Sequence, residues 1–347
     1  MTSRKYLFNF SASYLGGGRK RLEEYARWFD RRGGAWFIVH PRSGNLCHEF
    51  PANHYLFVQT SAVGRVLRDC AYLGGILHEI GIPDLYYSYG IPIYRRVAQV
   101  NWFHVSNVLP FSWKGVPLSR FNRLKFRFLG RRMLGNLCHA DLISAESRFS
   151  LSLLPAEWAD RSVLSVNGSD DELAFLSSGV PAPREETAVV LGTASYKAIG
   201  ECYEIFKMLR RQASGLRLVI IGHKCDIPSE PKNDPSVISV GLISRKEVIA
   251  LLGKTKYYIS ATKIENSYNA AAEGVFLADE SYISDIGPHR ELLEGEPFER
   301  LSPPEGGTPF IHVRRADLTG KNLKSWEMVA SEMVAEVERR IGREARG

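Results

Sequence analysis

Twice along this chain a short apolar run leads through a glycine turn into an amphipathic helix and then a second apolar run. The first instance opens with Tyr6–Ser11 and passes Gly16-Gly17-Gly18 into a helix with Leu22, Tyr25, Ala26 and Phe29 at helical spacing. Gly33-Gly34 stops that helix, and AWFIVHP resumes as a strand ended by Pro41. The second restarts at VVLGTA, continues through a helix over Glu201–Gln212 and reaches the strand LRLVIIG at 216–222. Two parallel strands need a crossover between them, usually a helix, so this grammar demands a parallel α/β sheet in each half. A length of 347 residues suits two domains of ordinary size.

Between these starts the pattern is coarser. A helical stretch with turns runs from Gly64 to His78, and short strands follow near Leu85–Ser88 and Gln99–Val105. Leu118–Leu137 reads as a basic helix and 140–147 as strand and turn. The stretch 176–187 is rich in Pro, Gly, Ser and charge, as linkers are. Beyond it VISVG, the helix RKEVIALLG, the strand YYIS, a helix over Ser267–Gly274 and the strand SYIS complete the second half, and Asn322–Arg343 is a long amphipathic helix. The expected fold is α/β, two Rossmann-like domains facing a cleft, 1–170 and 171–320, with 321–347 as the closing helix.

Composition removes several classes. No window reaches the ~18–20 apolar residues of a membrane span, and the N-terminal apolar stretch is too short for a signal peptide. The five cysteines (Cys47, Cys70, Cys138, Cys202, Cys225) are scattered and never spaced C-x-x-C, so a reducing cytoplasm is expected rather than a disulfide framework or zinc site. Residues 1–170 carry 22 Lys/Arg against 12 Asp/Glu, whereas 171–347 carry 23 against 26. The basic half suits phosphates, anionic lipid or nucleic acid, or is simply solvated. A nucleic-acid motif is missing, and neither a paired-histidine metal motif nor D-x-D occurs, so no metal and no cofactor is expected.

One segment carries the most chemistry. IENSYNAAAEG holds Glu265 and Glu273 eight residues apart, which on a continuous helix lie about 80° from each other. Ser267 and Asn269 are good N-cap types, which places Glu265 in a loop and Glu273 on the helix that follows. The open amides at that helix start, over Ser267, Tyr268 and Asn269, suit a diphosphate. Alone, two acids at this spacing are better read as surface charge. Leu118–Leu137 mixes six cations with Phe and Leu; Arg120, Arg123, Arg127 and Arg131 share a stripe, while Lys125 and Arg132 fall elsewhere. It suits anionic lipid headgroups or a lipid-diphosphate acceptor, or it is a core-packed helix with a basic outer face.

In order, the strand YYIS, then ATKIENSYNAAAEG, then SYISDIGPHRELL resembles the donor-binding core of the retaining glycosyltransferases of family 4, which have the GT-B fold; the matching positions are Ser260, Glu265, Glu273, Ser284 and Glu291. VLGTASYKAIGECYEIFKML is similar to the family's strand, glycine turn, lysine and helix, ISVGLISRKEVIALL to its nucleobase-side strand and helix, and VNGSDDE to its interdomain turn. The likeness covers 165–293 well and the N-terminal half loosely. It implies that Glu273 holds the ribose hydroxyls of a nucleotide sugar and Glu265 a hydroxyl of the donor sugar, while Lys197 neutralises the leaving diphosphate. Gly241 and Leu242 then border the base. Gly16, Gly17 and Gly18 border the donor phosphates, His104 in WFHVSNVLPF lies near the reaction centre, and Asn107 and Arg19 lie on the acceptor side. Thr193 stands where the family often has an arginine, so Lys224, Arg245 or an N-terminal cation must replace it, or amides hold the phosphate. The final helix crosses back to the first domain in such proteins.

The resemblance thus implies metal-independent, retaining transfer of a sugar from a UDP-, GDP- or dTDP-linked donor, with family frequency leaning to GDP-mannose. The acceptor is a glycan or a polyprenyl-diphosphate-linked sugar, in surface polysaccharide, O-antigen or lipopolysaccharide synthesis. The setting is cytoplasmic, with peripheral contact at the inner membrane face, and nucleic acid is not a partner. A non-catalytic sugar-nucleotide-binding module and a nucleotide-sugar epimerase of the same fold remain as alternatives.

Overall fold

The central apolar runs of the first half are strands buried on both faces, which is why YLFNF, LYYSY and VNWFHV read as continuous rather than alternating patterns. A computed structural model describes residues 4–59, 70–113, 116–178, 185–302 and 308–344. The start of the helical stretch expected from Gly64 and half of the linker expected over 176–187 lie outside the described residues.

The chain divides into two compact units. The first comprises Met1–Trp113, Arg120–Gly168 and Trp326–Gly347; the second comprises Lys114–Ser119 and Ser169–Ser325. The first unit holds strands β1 (Tyr6–Phe10), β2 (Trp36–Val39), β3 (His54–Phe57), β4 (Leu85–Tyr89), β5 (Val100–Val105), β6 (Leu142–Ala145) and β7 (Ser162–Leu164). They form one sheet in the order β3-β2-β1-β4-β5-β6-β7, parallel throughout. Its principal helices are α1 (Gly16–Asp30), α2 (Cys70–Ile80) and α3 (Arg120–Gly135). Leu7, Ile38, Tyr86, Phe103 and Ile143 from five adjacent strands share one core with Leu73, Ile76 and Met133 from two of these helices.

The second unit repeats the plan with β8 (Glu185–Leu191), β9 (Arg217–Ile221), β10 (Val237–Gly241), β11 (Thr255–Ser260) and β12 (Glu280–Ser284). Its sheet runs β10-β9-β8-β11-β12 and then adds two antiparallel strands, β14 (Phe310–Arg314) and the edge strand β13 (Glu299–Leu301). The helices that matter here are α4 (Asp170–Ser178), α5 (Ile199–Gln212), α6 (Arg245–Leu252), α7 (Asn269–Leu277) and α8 (Gly287–Leu292). In both sheets the strand order reverses beside the first strand, the arrangement of doubly wound nucleotide-binding folds.

The last helix, α9 (Trp326–Glu344), belongs to the first unit. Residues 321–325 stay with the second unit, where Asn322 Nδ2 donates to the carbonyls of Leu292 and Glu294 at 3.0 and 2.9 Å, so the division falls at Trp326 rather than at 321. Gly168 marks the crossing, because a Cβ there would come within 2.5 Å of the Trp326 ring. Among the described residues no helix is long and apolar enough to cross a membrane.

Candidate functional site

In a sheet of this order, ligands bind beyond the carboxyl ends of the strands where the order reverses, in the second unit between β8 and β11. The chain leaves β8 through Gly192 into a tight turn, Ser195–Lys197, closed by Ala198 in the left-handed region at φ 49°. An alanine held there costs of order 1 kcal/mol, so the turn is over-determined by its surroundings. The β11 loop is stitched to it: the Lys263 amide donates to the Tyr196 carbonyl at 2.8 Å. The Lys197 ammonium and the Glu265 carboxylate thereby meet as an ion pair. Burial works against the charge on Lys197, but the facing carboxylate outweighs it and raises its pKa, so Lys197 is a cation at neutral pH.

His289 on α8 is the third group here and was not singled out from the sequence. Its Nδ1 donates to the Ser284 carbonyl at 2.7 Å, which assigns Nε2 as the unprotonated acceptor. Burial lowers its pKa to about 4; the charges of Glu265 and Lys197 also reach it. The Ser284 hydroxyl is used internally, donating to the Thr262 carbonyl at 2.7 Å.

Glu273 lies on α7, but the start of that helix differs from the sequence reading. The N-cap is Tyr268, with no side-chain cap, rather than Ser267 or Asn269; Asn269 is the first helical residue, and its amide reaches the Ser267 hydroxyl only at 3.5 Å. Tyr268 is buried, and packing of its ring outweighs the capping preference of its polar neighbours. Glu273 is ion-paired with Arg245 at the start of α6, and Arg245 also bonds Asp171 at 2.9 Å. Glu172 completes the cluster from α4. It is 2% exposed and its Oε2 has no hydrogen-bond partner. Burial first, and then the charge of Glu273, raise its pKa to about 7. Three carboxyl groups around one guanidinium leave acceptors in excess of donors, which suits a ligand that brings hydroxyls.

Arg245, one of the cations expected to replace the family arginine, is engaged by Glu273 and Asp171. Thr193 is itself buried, its hydroxyl donating to the His223 carbonyl at 3.2 Å. Lys224 is exposed beside Gly241 at the end of β10, with its Cε 3.7 Å from where a Cβ on Gly241 would stand. Leu242 is exposed next to it.

The first unit places its candidate residues differently. Gly16, Gly17 and Gly18 are not a loop but the first turn of α1; the loop is 11–15. A Cβ on Gly18 would lie 2.8 Å from the Tyr89 ring, so glycine there serves the approach of helix to strand. Arg19 pairs with Glu23 at 2.7 Å and donates to Asn45 at 3.0 Å. Asn107 accepts from the Leu109 amide at 2.9 Å and forms a local turn.

His104 is fully buried in a polar network. Ser144 Oγ lies 2.7 Å from its Nδ1 and accepts from Trp102 Nε1 at 2.7 Å, while Nε2 faces Glu146 Oε1 at 3.4 Å. Those contacts assign the proton to Nε2, and the ring stacks on Tyr89 at 4.9 Å. Burial, and then the positive charge of Arg21, lower its pKa to about 4, so it is neutral at pH 7. For Glu146 burial pulls upward but the His104 bond, Arg21 and Tyr89 outweigh it and hold its pKa at about 2. Arg21 is wholly buried; it donates to Tyr25, Asn167, the Ser165 hydroxyl and the carbonyls of Ser165 and Val166, and lies 3.9 Å from Glu146. It therefore neither meets solvent nor presents itself to a phosphate. Among the described residues no group of three or more His, Cys, Asp or Glu is gathered in a way that could hold a metal.

No protein-family model and no curated protein matches the sequence. Solved structures do. Sucrose-phosphate synthase from Thermosynechococcus elongatus aligns over 99% of this chain and 100% of that one, with a TM-score of 0.68 at 13% identity. The HepE protein of Anabaena in complex with UDP-glucose covers 99% and 100% with a TM-score of 0.59 at 14% identity. The UDP-forming α,α-trehalose-phosphate synthase of Burkholderia xenovorans in complex with glucose-6-phosphate covers 97% and 100%, with a TM-score of 0.58 at 9% identity. At such identities the likeness is one of fold, and the fold of this chain is the two-sheet α/β arrangement of GT-B glycosyltransferases.

Proposed function

We propose that this chain is a metal-independent, retaining glycosyltransferase that moves a sugar from a nucleotide-sugar donor to a glycan or lipid-linked acceptor. The observation that carries the reading is the pairing in the second unit of two acids eight residues apart with two cations from elsewhere in the chain: Lys197 with Glu265, and Arg245 with Glu273. The first pair joins the loops after β8 and β11, the two strands between which nucleotides bind in this strand order.

In this reading Glu273 and Glu172 accept the ribose hydroxyls, the start of α7 from Ser267 to Asn269 faces the diphosphate, and Glu265 accepts a hydroxyl of the donor sugar. Lys197 exchanges part of its bond to Glu265 for the diphosphate and stabilises the negative charge that grows as the sugar–phosphate bond breaks. Gly241 and Leu242 border the base, and Lys224 supplies the cation that Thr193 does not. The fold-mates solved with UDP-glucose, or named UDP-forming, favour a uridine nucleotide. His104 is a positioning residue, because both ring nitrogens are engaged inside the protein. Attack by the acceptor hydroxyl on the face the phosphate leaves, with that phosphate taking the proton, gives retention without a carboxylate nucleophile. The setting is surface polysaccharide or lipopolysaccharide assembly at the cytoplasmic face of the membrane.

Thermal-shift titration with UDP, GDP, dTDP and CMP, without added metal, tests this. A nucleotide at 100 times its Kd adds about 2.7 kcal/mol. UDP is expected to raise Tm in the wild type and not in Glu273→Ala; silence with all four nucleotides would overturn the reading.

A further inference from the structure

Helix α3 buries one face and leaves an apolar stripe on the other. Met133 and Gly130 are buried, Leu129 and Leu134 pack against the first unit's core, and Gly130 presses on the Pro110 carbonyl. The opposite side should then be polar. Instead it carries Phe121, Leu124 and Phe128, exposed by 77%, 68% and 50%. At 100° per residue these three fall within an arc of about 60°, directly away from Met133. Arg120, Arg127 and Arg131 adjoin one edge of that arc, and Lys125 and Arg132 adjoin the other. Lys125 and Arg132, which seem to break the amphipathic pattern in sequence, therefore form its second flank. No acid occurs anywhere on the helix.

We infer that α3 is a membrane-surface docking helix whose partner is an anionic lipid bilayer. Three large apolar side chains that are half or more exposed gain by entering the acyl boundary, while cations on both flanks sit at the level of the phosphates, as in helices that lie in the interface plane. Charge complementarity selects this occupant. A second copy of the chain would set this all-cationic helix against itself. A nucleic acid would use the cations but leave the apolar stripe in water. The inference stands without the transfer reading, since it needs neither donor nor acceptor.

Co-sedimentation of the whole protein with vesicles of phosphatidylcholine alone, and of phosphatidylcholine mixed with phosphatidylglycerol, is the test. Binding is expected only to the mixed vesicles. The triple variant Phe121→Ser, Leu124→Ser, Phe128→Ser should weaken it by at least about a hundredfold. Arg127→Gln with Arg131→Gln, which leaves the apolar stripe intact, should weaken it about fivefold per charge. Both variants should keep the wild-type Tm and its UDP response, which separates failure here from failure of the donor site. Equal binding to both vesicle types, or undiminished binding by the triple variant, would overturn the inference. So would wild-type self-association that the triple variant abolishes, or RNA binding of the same strength that only the arginine variant loses.

Discussion

At the carboxyl ends of the central strands the first unit seals its charges from water and the second does not. The side chains of Arg21, His104 and Glu146 are 0%, 0% and 6% exposed; those of Lys197, Glu265 and Arg245 are 14%, 21% and 36% exposed. A buried charge satisfied on every side by protein groups cannot change partners without a large desolvation cost, so it fixes shape. A pair that solvent reaches loses less when one member turns to a ligand. The same strand order thus carries a rigid polar core in one unit and an exchangeable one in the other.

The largest effect should come from breaking the sealed side. Arg21→Met leaves Glu146 buried without its cation, and unfolding free energy is expected to fall by about 3–5 kcal/mol. Adding Glu146→Gln should recover part of that loss. A loss below about 1 kcal/mol in denaturant titration would mean that water reaches this network and that the contrast between units is false.

On the exchangeable side, Lys197→Met should leave stability within about 1 kcal/mol, because Glu265 rehydrates. Transfer to acceptor should drop by about 10²–10³-fold, the usual consequence of removing one group that stabilises developing charge. Steady-state kinetics checks this, and unchanged kcat with a raised KM would place Lys197 in ground-state binding instead.

Acid should separate the buried histidines from Glu172 by sign. His104 falls from 6.5 to about 4 on folding, so at pH between those values the unfolded chain takes the proton first and stability is lost as pH falls through that window. At 1.36 kcal/mol per pH unit the loss approaches about 3 kcal/mol, and His289 adds a similar term in the second unit. Glu146 extends the loss below pH 4.5. Glu172 acts oppositely: its pKa is raised to about 7, so its contribution is complete below 4.5 and disappears as pH rises through 7. Tm measured from pH 8 to 4 should therefore fall, His104→Gln should flatten that fall, and Glu172→Gln should steepen it. Parallel curves for all three proteins would sink the assignment.

What sequence reasoning reached, and what it did not, follows from how each residue pays its solvation. Parallel strands buried on both faces announce themselves as apolar runs, and the helices between them by spacing. The strands β3, β13 and β14, two of them at sheet edges, were missed because they are short, carry His54, Glu299, Arg300 and Arg314, and lack that run. Glu265, Glu273 and Lys197 were visible as a spaced set. Arg21 was not, because it follows Arg19 and Lys20 in a stretch that reads as solvated, and only the fold shows five oxygen acceptors around it. Glu172 hid in the acidic run at 170–172 and Glu146 in a turn; for both, burial is a tertiary fact.

Arg245 gives the smallest and most discriminating prediction. It pairs with Glu273 beside Glu172, whose carboxyl pKa is raised by burial and then by the charge of Glu273. In Arg245→Gln one of the two carboxyls should retain a proton at neutral pH, leaving fewer acceptors for ribose hydroxyls. UDP affinity is then expected to weaken by about fivefold at pH 7, near the worth of a partly exposed pair, and to recover as pH rises to 8.5. Calorimetric Kd values at the two pH values distinguish the possibilities. Tighter binding in the variant at both would show that Arg245 competes with the nucleotide for Glu273. In that case the second unit's charge pairs would be plugs that a donor expels rather than partners that orient it.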